Sequence, residues 1–136
     1  MKSKEWYAQL KKPTWAPPAW IFGPVWSILY IIIIFTYGSI FLDIFNGRYP
    51  IAIGIILVLN LFFNFIFTYI QFVMKNNILA AIDIILVLLT IILSMIVSLK
   101  VTGKPVFLIA NIPYLAWVSF ATVLQFTITF KNLKNN

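Results

Sequence analysis

The sequence predicts an all-α integral membrane protein: a bundle of four transmembrane helices with an aromatic, proline-rich segment laid over one end. Three observations carry that prediction. Of 136 residues, 62% are hydrophobic and only 10% charged. A soluble domain carries roughly 25% charged residues, so this chain lacks the charges to cover a surface in water. The apolar residues fall in four runs, approximately 20–42, 50–72, 77–99 and 105–130, each meeting the roughly 20 residues needed to cross a bilayer. These runs also lack the period-2 alternation of barrel strands, and in lipid only helices or closed barrels satisfy the backbone internally. The chain reads as a single membrane domain, 1–136, with residues 1–19 forming the lid segment.

The breaks between runs are chemically clear. FNGRYP holds Gly47, Arg48 and Pro50; MKNN holds Lys75; KVTGKP holds Lys100, Gly103, Lys104 and Pro105. Glycine and proline punctuate helices, and such short connections make each helix antiparallel to the next. Four crossings put both termini on one side. That side carries Lys2, Lys4, Lys11, Lys12, Lys75, Lys131 and Lys134, against Arg48, Lys100 and Lys104 opposite. The positive-inside rule then places both termini in the cytoplasm. It also accounts for the net charge of +7 without nucleic acid as a partner, because the cations lie only between apolar runs. The N-terminus, MKSKEWYAQLKKP, is basic but has no apolar stretch of the signal-peptide kind.

Composition also restricts the chemistry. Cysteine and histidine are absent, and the acids are Glu5, Asp43 and Asp83. Thiol nucleophiles, disulfides, the usual zinc sites and imidazole bases are thereby removed, so no metal site and no conventional catalytic residue is expected. Asp43 and Asp83 fall at opposite membrane faces, which excludes a two-carboxylate mechanism.

Residues 6–26, WYAQLKKPTWAPPAWIFGPVW, hold four of the five tryptophans and four of the seven prolines. Pro13, Pro17 and Pro18 deny a continuous helix, while Pro24 is tolerated in the first turns of the helix that follows. An interfacial belt would account for Trp6, Tyr7 and Trp15. A belt needs no rigid proline spacing, however, and a stiff aromatic segment over a bundle end suits a lid on a cavity.

Depth counting at about 1.5 Å per residue brings a set of side chains into the half of the bilayer under that segment. Trp26 lies one to two turns into its helix, Asp83 at similar depth, Asn60 and Trp117 near the middle, and Phe63, Phe67 and Ala121 towards the cytoplasmic side. The faces agree. Asn60, Asn64, Phe67, Thr68 and Gln71 form one stripe, and Asp83, Val87, Thr90 and Ser94 another; Trp117, Ala121 and Gln125 stack, as do Trp26, Tyr30, Ile33 and Tyr37. Thr68, Thr90 and Ser94 read as helix-to-helix glue, a common role for small polar residues in lipid. Asp83 reads either as a functional intramembrane acid or as a helix-start acid favoured by the macrodipole. The tail VLQFTITFK approaches a cholesterol pattern with Phe126 where Tyr belongs, and is assigned to packing.

The string WYxxLxKPxWxPPxWxFGPVWxxLY resembles the signature of the translocator protein family, also called tryptophan-rich sensory proteins or peripheral benzodiazepine receptors. Pro113 to Ala121 is similar to the family's PYxxWxxFA block, and LxLNxxFNxxF around Asn60 and AAIDIILV around Asp83 fit its middle helices. The resemblance implies five helices, the first preceding the WY motif. This chain begins five residues before that motif, so that helix is missing from it. Many members have tryptophan where Phe63 stands, so the aromatic surface is kept and the indole donor lost.

The resemblance implies a receptor or carrier for tetrapyrroles, such as protoporphyrin and haem intermediates, and for isoquinoline carboxamides and benzodiazepines, with a sensory or regulatory role. Sterols are bound by animal members. It implies a bacterial cell membrane as the location, a possible homodimer, and no intrinsic cofactor, porphyrin being the ligand. The expected ligand contacts are Tyr7, Pro17, Trp20, Trp26, Asn60, Phe63, Phe67, Asp83, Trp117 and Ala121: aromatic walls, a Trp/Pro cover and a few polar groups, the general recipe for a small-molecule pocket. The alternative is light- and oxygen-dependent breakdown of bound porphyrin, with Trp26 and Trp117 as the redox-active residues. A four-helix proton-coupled exporter is disfavoured, because its first helix needs a central acid and residues 20–42 contain none.

Overall fold

The computed structural model describes residues 9–133. After a 3₁₀ turn at Ala19–Ile21, α1 spans Phe22–Phe45 and α2 spans Ile51–Thr68, continued by a π-helical turn at Tyr69–Val73. Helix α3 spans Asn77–Thr102, α4 is the short Val106–Ala110, and α5 spans Ile112–Lys131. Four stretches are long and apolar enough to cross a membrane: Phe22–Phe45, Ile51–Gln71, Asn77–Thr102 and Ile112–Lys131. Among the described residues there is no strand. The protein is an all-α integral membrane protein.

The helix ends follow their local chemistry. Pro24, third in α1, removes a backbone donor that has no helical partner in the first turn anyway. Asp43 and Arg48 close the α1–α2 turn with an ion pair of 2.8 Å at the surface. At the α2–α3 turn the Met74 amide reaches back to the Tyr69 carbonyl (3.0 Å), and Asn76 caps α3 by accepting from the Leu79 amide at 2.9 Å. Gly103 ends α3 at φ +67, donating to the Leu99 carbonyl, a left-handed position that costs a residue with a Cβ about 1 kcal/mol or more.

The fourth run departs from the single helix expected over 105–130. It breaks at Asn111 (φ −98, ψ 6) into α4 and α5. Pro113 has no amide hydrogen, and its ring clashes with a helical carbonyl four residues back, so a continuous helix cannot pass. The buried Asn111 compensates at the break, donating its side-chain amide to the Phe107 carbonyl at 2.8 Å. The first and third helices also run three residues further than expected, ending at Phe45 and Thr102.

Helix α3 is central, with α2 and α5 packed along it and α1 against α2. The main core holds Leu29, Ile33, Ile53, Leu57, Ile84, Val87, Ile91 and Val118. A second, smaller core joins Leu10 of the N-terminal segment to Leu124 and Ile128 of α5. Outward-facing side chains are apolar too: Phe35, Phe45 and Phe130 are each at least 74% exposed. Such a girdle would aggregate in water and is at home in lipid.

Gly54 marks where α1 and α2 approach, since a Cβ there would lie 3.1 Å from the Ile44 side-chain tip. Gly54→Ala should move the unfolding temperature in detergent by no more than a few degrees, because that methyl can yield. Gly54→Phe should destabilise by about 1–3 kcal/mol, the usual range for overpacking; circular-dichroism melts of both variants check this.

Candidate ligand-binding site

Two layers with opposite polar chemistry lie along the bundle axis. At mid-bundle, Asn60 is fully buried and every hydrogen-bonding position of its carboxamide is used. Its oxygen accepts from the Tyr37 hydroxyl (2.7 Å) and the Tyr114 hydroxyl (3.0 Å). Its amide donates to the Val87 carbonyl (3.2 Å) and the Thr90 hydroxyl (2.9 Å). Asn64, one turn on, donates to the Tyr114 hydroxyl and accepts from Tyr30 at 3.1 Å. This network joins α1, α2, α3 and α5. Buried polar groups cost little only when so satisfied.

The second layer is nearer the end of the bundle that carries both chain ends. Trp26 stacks on Tyr30 (centroids 5.7 Å apart) and meets Tyr114 and Trp117 edge-on, each at 6.5 Å. Trp117 also touches Phe22 (5.9 Å) and Phe120 (5.5 Å), and Phe120 is met edge-on by Trp15 of the N-terminal segment at 5.7 Å. A continuous aromatic wall thus runs from the segment through α1 to α5. Asp83, 5% exposed, belongs to the same depth. The Asn77 carbonyl on α3 receives Gln125 (3.4 Å) and Thr129 (2.9 Å) of α5, which sets the register of these antiparallel helices. Six residues on from Asn77, about 9 Å along the axis, Asp83 comes level with Ala121.

Unlike the network, this layer is unsatisfied. Among the described residues, Oδ2 of Asp83 and Nε1 of Trp117 are buried without a hydrogen-bond partner, as are Oε1 of Gln71 at the α2 end and Oδ1 of Asn111 at the α4–α5 break. A buried polar atom left alone costs about 1–3 kcal/mol, so an acceptor and a donor left over at one depth are chemically poised for a polar edge of a guest. No group of three acidic, histidine or cysteine side chains that could hold a metal ion occurs among the described residues.

The expected contact residues divide accordingly. Trp26, Trp117, Ala121 and Asp83 fall in the aromatic layer, with Pro17 half-buried in the segment beside it; Phe63 and Phe67 are half-buried against the main core. Trp20 instead points outward, 66% exposed on the 3₁₀ turn, where an indole suits the membrane interface. Asn60 has no hydrogen-bonding capacity left for a guest and serves as a clamp between helices. Thr68, counted in the α2 stripe, is exposed, because the step from α-helix to π-helix begins there and shifts the face. Tyr7 lies outside the described residues. Sequence reasoning overlooked Phe22 and Phe120, which flank Trp117, and the pairing of Tyr114 with Asn60. The aromatic spacing of FGPVW and WVSF was the available signal.

Comparison with known proteins gives a consistent picture. The family model described as the TspO/MBR family matches residues 1–131. The tryptophan-rich protein TspO of Bacillus cereus is 35% identical over 92% of the chain and 79% of its own length. The membrane protein YtaB of Bacillus subtilis is also 35% identical, over 96% of the chain and 82% of its length. The human translocator protein is 32% identical over 90% of the chain and 72% of its length.

Removing the clamp should loosen the bundle. Asn60→Ala strips the acceptor from two buried tyrosines and is expected to cost about 2–3 kcal/mol, low for four lost bonds because partners are also found in the membrane-unfolded state. Tyr37→Phe should cost about 1 kcal/mol or less. Reversible unfolding in mixed detergent measures both.

Proposed function

The chain belongs to the TspO/MBR family, and from that premise we propose that it is a membrane receptor binding a flat hydrophobic ligand of the tetrapyrrole class in the aromatic layer. The single observation that carries this reading is the edge-on pair of indoles, Trp26 and Trp117, in a layer where Trp117 Nε1 and, at similar depth, Asp83 Oδ2 are buried without partners. Ring faces of Trp26 and Trp117 supply stacking area. The indole N–H donates to a carboxylate or carbonyl on the ligand rim, and the Asp83 carboxyl pairs with a pyrrole or amide N–H. Isoquinoline carboxamides and benzodiazepines have the same combination of a flat apolar body and one polar edge.

A receptor or sensor suits the geometry better than a carrier. The Tyr37–Asn60–Tyr114 network and the fully buried Leu57, Val87, Ile91 and Val118 fill the bundle directly beyond the aromatic layer. A planar ligand would have to break that saturated plug to cross. The lysine excess on the side of the termini favours an orientation with this layer facing the cytoplasm, and a bacterial cell membrane is the location the family reading suggests.

A second reading, light- and oxygen-dependent breakdown of bound porphyrin, is favoured by one feature: two oxidisable indoles in edge contact at 6.5 Å. Degradation under anaerobic illumination, or undiminished degradation by the Trp26→Phe, Trp117→Phe double variant, would overturn it.

Protoporphyrin titrated into the purified protein should quench tryptophan emission with micromolar or tighter affinity. Ala121→Phe, which fills the space beside Trp117, should weaken binding at least tenfold without altering the far-ultraviolet spectrum. Ile96→Phe, on a lipid-facing position 47% exposed, should leave affinity within a few-fold. Trp117→Phe keeps a ring but loses the donor and should weaken binding about three- to tenfold. Equal effects of Ala121→Phe and Ile96→Phe would place the site elsewhere.

A further inference from the structure

The N-terminal segment has few ways to hold itself in place. Pro13, Pro17 and Pro18 lack amide hydrogens and exclude a helix, and its internal bonding includes a turn in which the Ala16 amide donates to the Pro13 carbonyl at 3.1 Å. It is held from outside, at Lys11. The Lys11 amide donates to Oδ1 of Asn132 (3.1 Å), and Nδ2 of Asn132 donates back to the Lys11 carbonyl (2.8 Å). One carboxamide therefore takes both backbone groups of one residue, as a neighbouring strand would.

Asn132 is itself fixed. It stands one residue beyond α5 and is 2% exposed. Its backbone amide reaches the Ile128 and Thr129 carbonyls, and its side-chain amide also donates to Ile128 at 2.8 Å. An asparagine just past a helix end is usually solvated; this one is aligned with a defined donor and a defined acceptor. Immediately before the clasp, Leu10 is buried against Leu124 and Ile128. Further along, Trp15 rests on Phe120, which rests on Trp117. Between the clasp and α1 the chain is stiffened by three prolines, so holding Lys11 at one end and Phe22 at the other stretches residues 12–21 beside the aromatic layer.

We propose that Asn132 is a positioning residue, the latch that holds the Trp/Pro segment closed over the aromatic layer, and that release of this latch is the step admitting a ligand. The inference rests on the receptor reading only for what enters; the latch itself stands on the clasp. Opening requires loss of both Lys11 hydrogen bonds and exposure of Leu10. Removing Asn132 lowers that barrier for the free and the occupied protein alike, so entry and exit should both quicken while affinity changes little.

The chain contains no cysteine, so one introduced thiol is a unique probe of the full-length protein. In reconstituted bilayers, Ala121→Cys should react with a maleimide about tenfold faster when combined with Asn132→Ala. Asn132→Asp keeps an acceptor for the Lys11 amide but loses the donor to its carbonyl, and should give an intermediate rate. Arg48→Cys, exposed at the opposite end of the bundle, should label at one rate in all three backgrounds. Unchanged labelling of Ala121→Cys, or equal acceleration at both positions, overturns the latch, the second result because it reports general loosening. Stopped-flow protoporphyrin binding provides the second arm: association and dissociation should each rise about tenfold in Asn132→Ala, with Kd within threefold. Rates unchanged despite faster labelling would show that the segment opens without gating and overturn the admission step. Absence of porphyrin binding in the unaltered protein defeats the receptor reading, while the labelling result still decides the latch.

Discussion

The carboxamide of Asn60 is the constraint on which the rest of the bundle depends. With no water in the bilayer core, a buried polar side chain must find its partners within the protein, and Asn60 finds four, drawn from α1, α3 and α5. Because an amide has one donating and one accepting end, it permits little rotation or sliding of the helices around it. Van der Waals packing alone, between helices as apolar as the lipid outside, would not choose a register so narrowly.

Fixing that level has consequences on both sides of it. Beyond the network, towards Gly54 and Phe107, Tyr37 stacks on Phe107 at 5.5 Å, and the buried Ser94, Ser98 and Asn111 donate to carbonyls three or four residues back. On the near side, the same register brings Trp26, Trp117, Ala121 and Asp83 to one depth. The network at mid-bundle is thus saturated, whereas Asp83 and Trp117, nearer the chain ends, each keep a buried polar atom without a partner. A protein that retains an unpaired carboxyl oxygen and an unpaired indole N–H in such surroundings gives up stability at that place, a pattern found where binding takes precedence over packing.

The cover over this layer has a different physical basis. Proline makes the segment stiff but takes three amide donors from it, so its position leans on contacts with α5: an aromatic edge, a buried leucine and a two-point clasp to Asn132. Those contacts lie at both ends of the chain in sequence and at one end of the bundle in space. These contacts are separate from the main core, which is built from α1 through α5.

What the sequence determined by itself was whatever depends on local composition. Runs of apolar residues specified four crossings and, from their even number, which ends lie together; Gly47, Gly103 and the MKNN turn specified where the runs end. The two end motifs, WYxxLxKPxWxPPxWxFGPVW and PYxxWxxFA, carried the family. Helical spacing placed Trp26, Asp83, Trp117 and Ala121 in one half of the bilayer, and in the structure Trp26 and Trp117 meet edge-on. Only the tertiary structure decided how each polar group is used. Asn60 and Asp83 look alike in a sequence, as polar residues inside apolar helices. One is saturated because Tyr37, Tyr114 and Thr90 converge on it; the other keeps a bare oxygen because nothing does. Trp20 and Trp26, six residues apart, likewise face lipid and core. The break at Asn111 and the clasp between Lys11 and Asn132 belong to the same class, since hydrogen-bond partners 121 residues apart leave no periodicity to read. Spacing along a helix reports depth and face, whereas satisfaction of a donor or acceptor depends on which other helices arrive.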